Sequence, residues 1–130
     1  MDFYLDENLT KFIADALHCL EQKDKINRVF STEMSLGKGI KDCPLIKKLK
    51  EVNGIWITHD LKLMTRLNEF LLLKDEGVTV FIISLPSGCN FVLQYRLVID
   101  RWEEIKKICR KHKQPFVCRL LIRGKEPIFY

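Results

Sequence analysis

The chain has 130 residues, of which 47% are hydrophobic and 30% are charged, and its formal net charge is +5. This length fits a single domain over residues 1–130, and the composition excludes a disordered protein. No apolar run approaches the roughly 20 residues of a membrane-spanning helix, which argues against a membrane protein. The N-terminal segment carries acids where a signal peptide carries bases, so we expect a cytoplasmic location.

The first third of the chain predicts a helix between two strands. The short apolar run Phe3-Tyr4-Leu5 is typical of a strand. Hydrophobic residues then recur with the spacing of one helix face, at Leu9, Phe12, Ile13, Ala16, Leu17 and Leu20. A β-prone run around Val29-Phe30 predicts the second strand, and we expect a loop that contains Glu33 to follow it.

The middle of the chain alternates helix and strand. Asp42-Cys43-Pro44 has the residues of a helix start, and Asn53-Gly54 has those of a helix end. Residues 55–58 form a dense β-prone run, and one continuous helix should carry the apolar residues from 63 to 71. Residues 78–84 are a continuous apolar strand, which is typical of a parallel sheet covered on both faces.

The C-terminal 45 residues predict one long helix and one strand. The helix should run from about Phe91 to His112, Pro115 should break it, and a strand should follow over residues 116–122. Residues 124–130 should form a tail or an edge segment. The whole order predicts an α/β fold of three layers, α/β/α, with a mostly parallel central sheet. The functional site of such a sheet lies at the carboxyl ends of its strands, near the point where strand order reverses.

Three aspartates occupy that position. Asp6 follows the first strand, Asp60 follows the third, and Asp42 lies between the second strand and its helix. Converging carboxylates bind Mg²⁺ or Mn²⁺, and such an ion lowers the pKa of bound water and neutralises phosphate charge. Each aspartate alone is more often a helix cap than a ligand. Their joint placement is what favours a metal site.

Four segments resemble one protein family, the PIN-like nucleases. Phe3-Tyr4-Leu5-Asp6-Glu7-Asn8-Leu9, followed at once by a helix, resembles the family's opening, in particular that of the compact VapC-type branch found as toxins in toxin–antitoxin modules. Trp56-Ile57-Thr58-His59-Asp60 resembles its apolar strand with a Thr/Ser-x-Asp motif. Residues 39–46 resemble its central Asp segment, and residues 78–83 its following strand. The match covers residues 1–85.

The resemblance implies a PIN-like fold and metal-dependent endonuclease activity on RNA. It carries the role of metal ligand onto Asp6, Asp42 and Asp60, and it suggests that Thr58 orients Asp60 or a metal-bound water. It also implies the toxin component of a type II toxin–antitoxin module, with an antitoxin protein as partner and a possible homodimer. Many PIN domains carry a fourth acid after the Thr/Ser-x-Asp motif, whereas here residues 61–73 contain only Glu69. The number of metal ions therefore stays open.

Basic residues near these acids are candidates for binding RNA. Lys38 and Lys41 flank the central aspartate and would hold the RNA backbone without reading its sequence. Arg66 would either contact a phosphate or pair with Glu69 or Asp6.

Residues 101–125 contain nine Lys or Arg against two Glu, a block that suits nucleic acid and equally suits a solvated helix face with a tail. Five of its residues would extend the grip on RNA or dock an acidic antitoxin segment: Arg101, Lys106, Lys107, Arg110 and Lys111.

Several other residues have simpler expected roles. Asn8 should cap the first helix, and the side chain of His59 should point away from those of its two neighbours. The five cysteines are odd in number and form no C-x-x-C pair, which argues against a disulfide framework and a zinc site. Cys19, Cys109 and Cys118 should be small core residues.

Two other classes of protein compete with the enzyme. The same fold with weakened chemistry would be a binding module for RNA or protein, which the absent fourth acid mildly favours. A receiver-like phosphoacceptor domain would use Asp6 and Glu7. Against that class, no Lys ends the strand at residues 78–84.

Overall fold

The computed structural model describes residues 1–9, 11–121 and 125–130, in which strands and helices alternate. The strands are β1 (Asp2–Leu5), β2 (Arg28–Ser31), β3 (Ile55–Thr58), β4 (Val80–Ile83), β5 (Val117–Leu120) and β6 (Ile128–Phe129). The helices are α1 (Lys11–Glu21), α2 (Thr32–Ser35), α3 (Asp42–Glu51), α4 (Leu67–Glu76) and α5 (Phe91–Lys111). A 3₁₀ turn at Leu61–Met64 lies between β3 and α4.

The strands form one sheet in the order β2-β1-β3-β4-β5-β6. Neighbours from β2 to β5 run parallel, and β6 pairs antiparallel with β5 at the edge. The chain moves from β1 to β2 on one side and then crosses back to β3 on the other side. Strand order therefore reverses between β1 and β3, where open α/β sheets bind their ligands.

Hydrophobic layers cover both faces of the sheet. Phe3 and Leu5 of β1 face α1 and α5, whereas Tyr4, between them, faces α3. This alternation follows from the two-residue period of a strand. All four residues of β3 and of β4 are buried, which explains why these segments read as continuous apolar runs. The predicted three-layer fold with a mostly parallel sheet is confirmed.

The buried face of α1 is narrower than the sequence predicted. Ile13, Ala14 and Leu17 are buried, whereas 53% of Phe12 and 59% of Leu20 are exposed. The centroid of the Phe12 ring instead lies 6.2 Å from the centroid of the Phe91 ring, and Phe91 is at the start of α5. The apolar spacing located the helix correctly but overstated how much of it contacts the core.

The helix predicted after β3 is broken, and this part of the prediction was wrong. Arg66 has an extended backbone (φ −87°, ψ 95°) between the 3₁₀ turn and α4. Asp60 accepts a hydrogen bond from the backbone N–H of Lys62 at 3.0 Å, and the Thr65 hydroxyl donates to the Lys62 carbonyl at 2.9 Å. These local bonds close a tight turn and compete with the ladder of a continuous helix.

Other expectations meet different outcomes. Residues 32–35 form the short helix α2 rather than a loop, so Glu33 lies on a helix. Cys109 and Cys118 are buried as predicted, whereas Cys19 is exposed. The predicted strand end at Ile122 and tail start at Gly124 fall outside the described residues. Among the described helices, none combines the length and the apolar character needed to cross a membrane.

Candidate active site at the carboxyl edge of the sheet

Asp6 lies at the point of reversal, directly after β1. Its backbone N–H donates to the carbonyl of Ile57 in β3 at 2.8 Å, so the carboxyl end of β1 is fixed to its neighbour. The residue is only 9% exposed. Its Oδ1 accepts the backbone N–H of Glu7 at 3.1 Å, and its Oδ2 accepts the hydroxyl of Thr58 at 2.9 Å. Both carboxylate oxygens therefore have fixed directions.

The Thr58 hydroxyl connects the two strands that carry the acids. The side chain is fully buried at the end of β3. Besides donating to Asp6, its Oγ1 accepts the backbone N–H of Asp60 at 3.1 Å and the side-chain amide of Asn8 at 3.2 Å. One donor and two acceptor sites are the full capacity of a hydroxyl.

Asn8 was predicted to cap α1, but the described contact of its side-chain amide is with the opposite strand. The helix begins at Lys11, and the Asn8 amide points to Thr58 instead. The carbonyl of Asn8 binds Nε2 of His59 at 2.8 Å. His59 therefore contacts the backbone of the segment after β1, and Asn8 belongs to the acid site. Nothing in the Thr-x-Asp motif indicates from the sequence that Asn8 would bond to Thr58.

Arg66 joins the two remaining aspartates. Its Nη1 lies 2.8 Å from Oδ2 of Asp42 and 3.0 Å from Oδ2 of Asp60. The two carboxylates are thus no farther apart than the sum of these distances. The expected partners Asp6 and Glu69 were wrong, because the break before α4 directs Arg66 to the other two acids.

Helix capping explains only one of the three aspartates. Asp42 is the first residue of α3, whose N-cap residue Lys41 makes no side-chain capping bond. Asp60 does cap the 3₁₀ turn through Oδ1, and this leaves its Oδ2 for Arg66. Asp6 bonds to Thr58 across the sheet. The local alternative therefore does not account for the convergence of the three.

The electrostatics of the cluster reflect burial and crowding of negative charge. Burial raises the pKa of Asp6, the bonds from Thr58 and Glu7 oppose this, and the charge of Asp42 adds to it. Burial also raises the pKa of Asp42, against the opposing effect of Arg66, and Asp60 and Glu69 raise it further. The cluster is thus short of positive charge even with Arg66 in place.

Glu69 lies near the acids, although the sequence predicted that it would lie deep in a helix. Because the helix is broken at Arg66, Glu69 lies in the first turn of α4, close enough to Asp42 to affect its pKa. The sequence signal that could have located it is the Thr65 turn, which ends the preceding 3₁₀ segment.

The donor chemistry fits a hard divalent ion. Carboxylate oxygens from Asp6, Asp42 and Asp60 are the ligands that Mg²⁺ and Mn²⁺ prefer. Within the described ranges, however, no three acids, histidines or cysteines stand in the arrangement of a metal site. The Arg66 guanidinium, bonded to two of these carboxylates, supplies their positive charge in this conformation.

The predicted lysines lie on an exposed segment beside the acids. Lys38 and Lys41 are both exposed. The backbone N–H of Gly39 donates to the side chain of Glu7 at 3.2 Å, which ties this segment to the residue after Asp6. Lys41 directly precedes Asp42, and Lys38 directly precedes Gly39 on the same segment.

The basic residues of α5 lie away from the acids. Arg101 pairs with Glu104 and bonds to the carbonyl of Leu121, and Lys106 pairs with Glu21 and Glu103. Both side chains are therefore paired within the protein, and the proposed contact with RNA or an antitoxin stays a prediction for them. α5 starts at the edge that holds the acids and runs 21 residues back, about 31 Å, so its exposed lysines lie toward the opposite edge.

Comparison with known proteins adds one match. A family model described as a PIN like domain matches residues 1–85, a range that contains β1 to β4 and the whole acidic cluster. No curated protein and no solved structure matches the chain.

Proposed function

Since the chain belongs to the PIN-like domain family, whose fold is of the nuclease type, we propose that it is a metal-dependent endoribonuclease. Asp6, Asp42 and Asp60 would hold Mg²⁺ or Mn²⁺. The observation that carries the proposal is their convergence, from three separate segments, on the point where strand order reverses. Such an ion, when bound, lowers the pKa of a coordinated water and neutralises charge on the scissile phosphate.

The surrounding residues would position these carboxylates. Thr58 holds one oxygen of Asp6 and the backbone of Asp60, so it fixes the separation of two ligands that come from different strands. Asn8 fixes Thr58 in turn. Correct placement of reacting groups accounts for a large share of catalysis, so this buried network would matter for rate.

Lys38 and Lys41 would hold the RNA backbone. Both are exposed next to the cluster, and ammonium groups bind phosphates without selecting a base. Glu69 of α4 would add a fourth carboxylate to the site. It lies near enough to Asp42 for its negative charge to raise the pKa of that aspartate. With four acids, the site has the donors for one ion or for two.

The proposal extends to a cellular role. The resemblance of residues 1–85 to the compact VapC-type branch supports a type II toxin held inactive in the cytoplasm by an antitoxin protein. A homodimer fits the same resemblance. Expression of the chain alone should arrest bacterial growth, and an Asp6→Asn variant should not.

Cleavage of RNA by the purified protein tests the activity. We expect cutting in the presence of Mn²⁺ or Mg²⁺, none in EDTA, and none with Asp6→Asn. Asp15→Asn on the exposed side of α1 is the matched control, because it removes an acid away from the cluster. Cutting that survives both EDTA and Asp6→Asn would refute the proposal.

A binding module for RNA or protein is the second candidate function. The observation in its favour is Arg66, which already neutralises two of the three carboxylates. The two candidates differ in their response to metal. A folded protein that binds RNA equally well with and without Mn²⁺, and never cuts it, would be the binding module.

A further inference from the structure

Arg66 occupies a distinctive position for a basic residue in a site of this chemistry. A single nitrogen, Nη1, lies within 3.0 Å of carboxylate oxygens from both Asp42 and Asp60. Hydrogen bonds between ionised groups at these distances are stronger than neutral ones. The same two oxygens are among those proposed above to hold the divalent ion. A guanidinium and a divalent ion held side by side on these carboxylates would repel each other, so the two cations compete for the same site.

We propose that Arg66 is an internal counter-cation that exchanges with the divalent ion, leaves the carboxylates when the ion binds, and then becomes free to contact an RNA phosphate. This inference rests on the proposed function of the same acids. It reconciles the two roles expected for Arg66, an ion pair and a phosphate contact, as successive states of one side chain.

The backbone around Arg66 suits such an exchange. The residue lies in the short break between the 3₁₀ turn and α4, so no regular helix fixes its direction. Its side chain is 38% exposed, which leaves a path to solvent. The two carboxylates are about a quarter exposed, so water can replace the guanidinium as it leaves.

The charge balance favours exchange over simple addition. The carboxylates of Asp42 and Asp60 are about three-quarters buried and lie against the Arg66 guanidinium. Removing Arg66 without a replacement would leave that negative charge uncompensated, which is costly in a partly buried site. A divalent ion supplies two charges where the guanidinium supplied one, so it can displace Arg66 and still reduce the excess.

Direct titration with Mn²⁺ tests the competition. We expect Arg66→Gln to bind Mn²⁺ about tenfold more tightly than the wild type, since the ion no longer displaces a charge-assisted pair. Lys62→Gln is the matched control, because it removes one exposed positive charge from the neighbouring 3₁₀ turn. Its affinity should stay within about twofold of the wild type, the effect of a screened surface charge.

Chemical labelling follows the release of Arg66 in the unaltered protein. Phenylglyoxal modifies free guanidinium groups, and mass spectrometry locates the modified residue. We expect Mn²⁺ to accelerate modification of Arg66 several-fold and to leave Arg96, an exposed residue of α5, unchanged. This readout requires no variant to fold.

Three results would overturn the exchange. Equal tightening in Arg66→Gln and Lys62→Gln would reduce the effect to general electrostatics. Weaker binding in Arg66→Gln would show that Arg66 holds the acids in place for the ion. A labelling rate of Arg66 that ignores Mn²⁺ would show that it does not move.

The failure of the proposed function has a different signature. If neither the wild type nor Arg66→Gln binds Mn²⁺, the metal site and the exchange fall together. If Mn²⁺ binds and Asp6→Asn abolishes cutting, the nuclease stands whatever the behaviour of Arg66.

Discussion

The hydroxyl of Thr58 and Oδ2 of Asp6 are 2.9 Å apart although the residues are separated by 52 positions in the chain. The bond crosses from β3 to β1 at the place where strand order reverses. Thr58 is fully buried, so no water can replace the hydroxyl. The hydroxyl of Thr58 therefore positions the Asp6 carboxylate, and a valine side chain of nearly the same shape could not do so.

Replacing Thr58 with Val should impair both stability and cleavage. The change leaves the Asp60 N–H and one Asp6 oxygen without a partner, which costs about 1–3 kcal/mol. Loss of the fixed carboxylate geometry should slow metal-dependent cutting by about 10- to 100-fold. Urea unfolding and RNA cleavage rates measure the two effects. Thr58→Ser keeps the hydroxyl and should retain most activity, and an equal loss in both variants would contradict the positional role.

Asp6→Asn should stabilise the metal-free protein. A buried carboxylate without a full counter-charge is unfavourable, and relief of that charge should outweigh the loss of the bond from the Glu7 N–H, since the amide oxygen still accepts from Thr58. Sites that carry strained charge commonly gain about 1 kcal/mol when it is removed. Urea unfolding in EDTA measures the difference. The exposed control Asp15→Asn should change stability by less than about 0.5 kcal/mol. A destabilised Asp6→Asn protein would show that relief of the buried charge does not outweigh the lost bond from Glu7.

Glu21 should be essential for stability because it ends α1 inside a buried polar network. Its Oε1 accepts Nε1 of Trp102 at 2.6 Å and Nζ of Lys106 at 2.7 Å, and Asn27 donates to its Oε2. Glu21→Ala would leave the Trp102 indole N–H unpaired and Lys106 with only its exposed partner Glu103, at a cost of about 3 kcal/mol.

The control for Glu21 is the other partner of Lys106. Glu103 is 79% exposed, so Glu103→Ala should cost about 0–1 kcal/mol. Thermal or urea unfolding compares the two variants. A cost of Glu21→Ala no larger than that of Glu103→Ala would show that the network contributes little.

Glu21 should also give the fold a dependence on pH. Burial alone raises the pKa of Glu21, but the hydrogen bonds from Lys106, Trp102 and Asn27 outweigh it, so the pKa is lower than its usual 4.5. The unfolded chain thus binds the proton more readily, and stability rises with pH. The contribution is complete above the unfolded value and is lost as pH falls through the lower folded value. The stability difference between the wild type and Glu21→Gln should shrink over that acidic range, and a constant difference would contradict the lowered pKa.

The two core cysteines should resist thiol reagents. Burial raises the pKa of Cys109 to about 11 and that of Cys118 to about 12. Only the thiolate reacts, so both should stay unmodified by Ellman's reagent at pH 8 until the protein unfolds. Exposed Cys19 should react at once. Mass spectrometry of early samples locates the modified thiols, and early labelling of Cys118 would mean that the core opens readily.

Sequence patterns predicted the architecture because burial on two faces leaves a strong signal. The continuous apolar runs of β3 and β4 and the turn residues around them gave the strands, and Asp6, Asp42 and Asp60 followed from the strand ends. The family match over residues 1–85 agrees with the same segments.

The errors share a physical cause. Several side chains have both a local and a long-range partner available, and the sequence alone does not show which of the two they bind. Asn8 could cap a helix or bond to Thr58, and only the pairing of β1 with β3 makes the second choice available. Arg66 contacts its two aspartate partners because a tight turn closed by Thr65 interrupts the helix. Apolar spacing cannot reveal such a turn. Cys19 is exposed because the buried face of α1 is narrow.

The arrangement of β1 beside β3 has a consequence for the order of events during synthesis. A nascent chain that has emerged only through β2 contains Asp6 but neither Thr58 nor Asp60, so the carboxylate has no partner across the sheet. The cluster closes only when β3 inserts next to β1, a step of high contact order. A ribosome-bound fragment that ends before residue 60 therefore lacks Asp60, and the three acids come together only after β3 has joined the sheet.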